Sequence, residues 1–231
     1  MKVLLIVDPL NDFCPGGSLA VPDADRVMPV INRLGASGEF DLVVALKEQH
    51  PANHVSFASR YPGKKTFDQI EIHGVLQTLW PDHCVEGSPG AEFYPALQRD
   101  LIDWVVLKGT ALEVDSYSGF FDNNHSGATE LQALLEREAF GRFEGVSDIE
   151  ITVCGLALDF CVKATALDSA KLGYHTKVML DACRAVNLKP GDDVKAMIEL
   201  SAAGVELTQS SSILSEYTFE RRKRQEVRAS R

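Results

Sequence analysis

The chain has no C-x-x-C pair, no internal repeat, no low-complexity linker and no apolar run of membrane-spanning length. Its five cysteines, Cys14, Cys84, Cys154, Cys161 and Cys183, are odd in number and far apart, which excludes a disulfide framework or a cysteine-rich zinc site. The first apolar run, residues 3–7, stops at Asp8 and is too short for a secretory h-region, so a cytoplasmic, reduced protein is expected. Basic residues are scarce as well: 23 Lys and Arg face 33 Asp and Glu, a formal charge of −10. That balance argues against nucleic acid or an anionic membrane as the main partner and favours a small-molecule substrate. Neither G-x-G-x-x-G nor G-x-x-x-x-G-K-[ST] occurs, so the common nucleotide fingerprints are missing.

What is present is enough apolar material, 45% of 231 residues, for one α/β core. Short β-branched runs at 3–7, 42–46, 104–107, 149–154 and 176–180 read as strands, with a further strand at 204–208. Between them, 24–34, 128–139, 160–172 and 193–203 show helical spacing. The alternation predicts a single-domain, doubly wound parallel sheet with helices on both faces. This domain is taken to span residues 1–219, followed by a basic tail over 220–231. Residues 51–89 form a long segment rich in Pro, Gly, His and aromatics, read as a functional loop.

Residues 149–174 run strand, tight turn, helix, with Gly155 breaking the strand, Asp159 placed to cap the helix and Cys161 near its start. Amide N–H groups at a helix start favour thiolate over thiol, so Cys161 is a candidate nucleophile against the commoner role of a buried packing thiol. In open parallel sheets, ligands bind outside the carboxyl ends of the strands. Asp8 ends one strand and Lys108 another, which brings a carboxylate, an ammonium and a thiol to one edge. Taken singly, Asp8 could be a loop carboxylate and Lys108 a snorkelling surface lysine. Together they suit acyl transfer, with the carboxylate moving the thiol proton and turn amides holding the oxyanion. A second group is Glu48, His50, His54 and His83. Glu48 and His50 are two apart in an extended segment and share a side, and carboxylate with imidazole suits Zn²⁺, Fe²⁺ or Mn²⁺.

Six ordered segments carry a resemblance across nearly the whole chain: D-P-L-N-D-F-C-P-G-G-S-L-A-V from Asp8, E-Q-H-P-A-N-H-V-S-F from Glu48, W-P-D-H-C-V-E-G-S-P-G-A-E-F from Trp80, K-G-T from Lys108, D-S-Y-S-G-F-F-D-N from Asp115 and C-G-L-A-L-D-F-C-V from Cys154. Together they resemble the nicotinamidase branch of the isochorismatase-like cysteine hydrolases. The resemblance implies Cys161 as nucleophile, Asp8 as base, Lys108 as electrostatic partner and the amides of Ala157 and Cys161 as oxyanion donors. It also implies a cis peptide between Leu156 and Ala157, with Leu156 beside the substrate and Phe13 and Trp80 flanking a pyridine ring. One divalent transition metal ion would sit on Glu48, His50 and His83, with His54 a fourth ligand or a neighbour. The family usually has Asp where Glu48 stands and Gln where Leu10 stands. The implied reaction is hydrolysis of nicotinamide, and of pyrazinamide, through a thioester, by a protein that can be a homo-oligomer. Other readings are an amidase of the same superfamily acting on another carboxamide or carbamoyl group, and a non-catalytic ligand-binding α/β module.

Overall fold

In the computed structural model, the described residues are 1–72, 74–141 and 145–214. Among these residues, eight strands form two sheets: β1 (Lys2–Val7), β2 (Leu42–Glu48), β5 (Trp104–Lys108), β6 (Glu150–Leu156), β7 (His175–Arg184) and β8 (Glu206–Thr208) form the main one, and β3 (Gln69–Ile72) pairs antiparallel with β4 (Val75–Thr78). The main sheet has the order β5-β2-β1-β6-β7-β8, and every pairing in it is parallel. The central strands β1 and β6 are buried along almost their whole length, whereas the edge strands β5 and β8 are not. This is why the central runs read as continuous hydrophobic stretches: a parallel strand covered on both faces has no polar side.

Among the described residues, four helices connect the strands: α1 (Met28–Gly35), α2 (Leu131–Ala139), α3 (Lys163–Lys171) and α4 (Asp192–Ala202). The chain steps one way from β1 to β2 and the other way from β6 to β7, so right-handed crossovers put α1 and α3 on opposite faces. The doubly wound sheet expected from the sequence is therefore the observed fold, and its switch of direction lies between β1 and β6. The 51–89 stretch is not a structureless loop, because the β3–β4 hairpin stands inside it. The expected basic tail over 220–231 lies outside the described residues. Among the described residues, no helix is long and apolar enough to cross a membrane.

Gly155 does not break β6. It sits within the strand at φ +115°, pairing with Val7, and a Cβ there would lie 2.1 Å from the Val7 carbonyl oxygen. Only glycine lets the two central strands approach this closely beside the nucleophile turn. Gly155→Ala is expected to lower stability by about 3 kcal/mol, through overpacking and a disfavoured φ, read as a shift in the urea midpoint without a change in slope.

Candidate active site

Four adjacent strands each deliver one reactive side chain at their carboxyl ends. Lys108 ends β5 and pairs in register with Glu48, which ends β2; Asp8 follows β1; and the turn after β6 carries Cys161. Asp8 has φ +47° and its N–H donates to the Leu46 carbonyl at 3.1 Å, so the chain leaves the sheet while the side chain stays inside. Asp8 and Lys108 are essentially without solvent exposure, and Cys161 is buried as well.

Lys108 is the centre of the cluster. Its ammonium donates to Glu48 Oε2 in a very short bond, to the Ser116 carbonyl at 3.1 Å and to Cys161 Sγ at 3.4 Å. An ammonium has three protons, and these three acceptors use them. Asp8 Oδ2 lies 2.9 Å from the same nitrogen and is a further ion-pair partner of it. Asp8 Oδ1 accepts the Glu48 N–H at 2.9 Å. Carboxylate oxygens of Asp8 and Glu48 and the Cys161 sulfur all lie within 4.8 Å of one another. One oxygen of Asp8 is thus committed to the backbone, and the other is available for a proton.

The electrostatics follow from burial opposed by pairing. Burial pushes the Asp8 carboxyl up to about 6, against the pull of Lys108 and with a further push from Glu48. For Glu48, burial would raise the carboxyl, but Lys108 and the neighbouring histidines hold it well below its ordinary range. Lys108 would lose its proton through burial alone, yet the anionic groups around it keep it charged. Burial pushes the Cys161 thiol well up; Lys108 opposes this, while Glu48 and Asp8 add to it. Burial outweighs both Lys108 and the helix start, so the group that Asp8 must deprotonate is a thiol; it sits in a π-helical turn, Leu158–Val162. Nor does Asp159 cap the helix: its carboxylate accepts the N–H groups of Val186 at 2.9 Å and Asn187 at 2.8 Å, tying the segment after β7 to the nucleophile turn.

A cavity opens on the sulfur. Cys161, Ala157 and Phe160 form its floor, Phe13, Trp80 and Tyr117 its aromatic walls, and Leu19 and Val186 further apolar wall. Asp12 holds two of these segments together, accepting the Ser18 N–H at 3.1 Å and the Cys84 N–H at 2.7 Å, so the loop with Phe13 is fastened beside His83. The Leu156–Ala157 peptide is cis, as expected. Leu156, expected beside the substrate, is fully buried at the end of β6 and does not line the cavity; Ala157 does.

Glu48 also faces the histidines. Its Oε1 is 2.8 Å from His83 Nε2 and 3.1 Å from His50 Nε2. The other ring nitrogens point to backbone carbonyls, His50 Nδ1 to Gly109 at 2.7 Å and His83 Nδ1 to Pro81 at 2.8 Å. Such second partners fix each imidazole with Nε2 inward, the arrangement that prepares a histidine as a ligand. A Cβ on Gly109 would come within 2.6 Å of the His50 ring, so the glycine allows that contact. Glu48, His50 and His83 thus form a buried one-carboxylate, two-imidazole donor set that fits a divalent ion. His54 is not part of it. It stacks on His50 with ring centres 4.0 Å apart, its Nδ1 lies 2.8 Å from Ser56 Oγ, and its donor atoms group with His50 and Asp115 instead. Burial pushes His54 down to about 4, helped by His50, so it is a neutral ring.

Sequence reasoning missed Tyr117, Gln77 and Asp115 as individual residues, although the D-S-Y-S-G-F-F-D-N segment containing two of them was singled out. Gln77 had no signal, because it enters from β4, whose four residues are too few to show a period.

The Isochorismatase domain family matches residues 2–212. The chain is 44% identical over 208 residues to the nicotinamidase of Escherichia coli strain K12, covering 89% of this chain and 93% of the other. Among solved structures, an Acinetobacter baumanii nicotinamidase/pyrazinamidase is similar with a TM-score of 0.84 and 39% identity, covering 92% of this chain and 97% of that one. The pyrazinamidase of Pyrococcus horikoshii in complex with zinc has a TM-score of 0.69 and 32% identity, with 90% and 98% covered. The match over nearly the whole length, together with the thiol, carboxylate and ammonium at one sheet edge, makes this chain a member of the isochorismatase family, on its nicotinamidase side.

Proposed function

We propose that the chain is a metal-assisted cysteine amidohydrolase that converts nicotinamide to nicotinate and ammonia, and that it accepts pyrazinamide. The single observation that carries this reading is the placement of Cys161, Asp8 and Lys108 in one buried cluster beneath an aromatic-walled cavity. The relatives named nicotinamidase supply the substrate class.

The flat ring packs between Phe13 and Trp80, which puts the carboxamide carbon over Cys161 Sγ. Asp8 takes the thiol proton on its uncommitted oxygen as sulfur attacks the carbonyl carbon. The carbonyl oxygen becomes an oxyanion, held by the amide N–H groups of Ala157 and Cys161. When the C–N bond breaks, Asp8 returns the proton to the departing nitrogen and ammonia leaves. A water, deprotonated by Asp8, then adds to the thioester; the C–S bond breaks and the sulfur recovers its proton. Lys108 keeps its charge throughout and offsets the anionic groups beside it. A divalent ion, for which we propose zinc, would be held by Glu48, His50 and His83 and would offer a Lewis-acidic point for a heteroatom of the ring. His54 stays outside that set as a packing partner of His50.

Cys161→Ala is expected to lower ammonia release from nicotinamide by at least about 10³-fold while nicotinate binding measured by calorimetry stays within a few-fold. Near-normal turnover in that variant refutes the nucleophile.

The reaction also has a pH signature. Asp8 is pushed up to about 6, so below that pH it is protonated and cannot act as base, and above it the carboxylate forms. The kcat/KM profile should therefore fall as pH drops through about 6, and a profile flat from pH 5 to 8 rules out Asp8 as base.

For the ion, elemental analysis of the purified protein should give close to one divalent transition metal per chain, and His50→Ala should lose it. Retention of a full equivalent by that variant counts against the Glu48, His50, His83 site.

A further inference from the structure

We propose that Asp159 is a positioning residue for the nucleophile: its carboxylate grips two successive backbone N–H groups after β7 and so holds the turn that aims the Cys161 sulfur at Lys108. This rests on the amidohydrolase reading and adds to it a requirement outside the reacting groups.

The turn needs support from outside itself. The Val162 N–H donates to the Ala157 carbonyl, five residues back, at 3.1 Å. A π-turn of this kind is rare, and it carries one residue more than an α-helical turn, about 100° of rotation. Both of its ends are in use here. Ala157 lies on the cavity floor, and Cys161 Sγ is 3.4 Å from Lys108 Nζ. Relaxing to ordinary α spacing cannot keep both where they are, because the rotation of one residue has to be taken up between them. Within the turn, Leu158, Phe160 and Val162 have no polar side-chain atom. Apart from Cys161 itself, Asp159 is therefore the one member that can fasten the turn through a side-chain hydrogen bond.

Its contacts suit that task. Asp159 is 5% exposed, and each carboxylate oxygen has its own donor, Val186 N–H to Oδ1 at 2.9 Å and Asn187 N–H to Oδ2 at 2.8 Å. Asn187 has φ +53°, and successive N–H groups beside a left-handed residue converge on an anion. Two charge-assisted bonds fix the carboxylate in direction as well as in distance. The gripped segment is itself anchored. It follows β7, whose Arg184 pairs with Leu156 of β6, and the Asn187 side chain accepts the Asp193 N–H at 2.9 Å in the first turn of α4. Lys163, the first residue of α3, adds an ion pair with Glu199 of α4 at 2.9 Å. The π-turn, the end of β7 and α4 thus form one unit, with Asp159 as the buried link and the sulfur two residues along. Asp159 does not line the cavity whereas Val186 does, so the carboxylate acts on the reaction only through Cys161 or through that wall.

The test measures kcat and KM for nicotinamide, and nicotinate binding by calorimetry, in the full-length, metal-loaded wild type and in two variants. Asp159→Asn keeps the size of the side chain but sets an NH₂ against one backbone N–H, and Asp159→Ala removes both bonds. Asp159→Asn is expected to lower kcat by about 10- to 100-fold, the loss that a small misplacement of a reacting group brings, and Asp159→Ala by more. KM and the nicotinate Kd should stay within about three-fold, which also shows that the variants are folded. A merely structural role lowers the urea midpoint but leaves kcat per bound nicotinate unchanged, and that result overturns the proposal. A loss carried by KM alone overturns it too, and makes Asp159 a support for the Val186 wall. Where Asp159→Ala does not fold, Asp159→Asn decides by the same criteria. Wild-type protein that releases no ammonia from nicotinamide overturns the amidohydrolase reading, whereas an active wild type with an unchanged kcat in Asp159→Asn overturns this inference alone.

Discussion

One buried ammonium holds this site together. Lys108 lies without solvent contact between two carboxylates, a thiol and a backbone carbonyl. Removing a charge from water is expensive, and it is tolerated only where partners surround it closely. The converse applies to its neighbours. Asp8 and Glu48 are equally buried, and without Lys108 their carboxylates would repel each other within 4.8 Å of the sulfur. The two carboxylates answer the ammonium differently. At Glu48 the ammonium and the histidines outweigh burial and hold the carboxylate ionised, whereas at Asp8 burial outweighs the ammonium and pushes the carboxyl up to about 6. Pairs of acids driven apart by their surroundings are how a site separates a permanent charge from a proton carrier.

The sheet is what makes that cluster possible. Parallel register sets Lys108 against Glu48 and Val7 against both Leu46 and Gly155, so the ends of β5, β2, β1 and β6 form a short row. Side chains leaving the row within a residue or two of one another meet without any long loop having to be ordered. The direction switch between β1 and β6 opens a crevice there, and the aromatic walls come from the segments that cross it. Rigid strand ends position catalytic groups more accurately than loops do. Here even the loops are fastened, by Asp12 at the Phe13 side and by Asp159 at the Val186 side.

The sheet, its parallel sense and three of the four reactive residues were readable: buried parallel strands are strongly patterned, Asp8 and Lys108 are charges that end such runs, and Cys161 stands in a visible strand, turn, helix sequence. Glu48 was read only as a metal ligand. Its second contact, with Lys108, depends on the β2–β5 register, which no local pattern encodes. The balance at Cys161 was equally hidden: helix-end electrostatics are local and visible, but the burial that outweighs them, and the two carboxylates that add to it from strands more than a hundred residues away, are not. Asp159 has the composition of a cap and is used as a tether instead. Asp, Ser and Thr near a helix start compete for several backbone donors, and tertiary structure chooses among them. Gln77 carries no signal at all, because one glutamine in a four-residue strand matters only through what lies opposite it.

Glu48 shows how a single methylene can join two functions. Its backbone N–H is pinned by Asp8, its Oε1 reaches His50 and His83, and its Oε2 reaches Lys108 and comes within 3.7 Å of Cys161 Sγ. From the same pinned backbone, an aspartate carboxylate would stop one carbon short, so spanning both neighbours depends on the longer arm. The donor set that fits a divalent ion and the cluster that contains the nucleophile therefore share one carboxylate rather than standing side by side. Whatever draws Oε1 more tightly toward the two histidines also turns Oε2 relative to the ammonium. Lys108 acts by its charge on Glu48, Asp8 and Cys161 together, so the two sites share an ammonium as well as a carboxylate. The two sites thus meet through one carboxylate and one ammonium, both fixed at adjacent ends of the sheet.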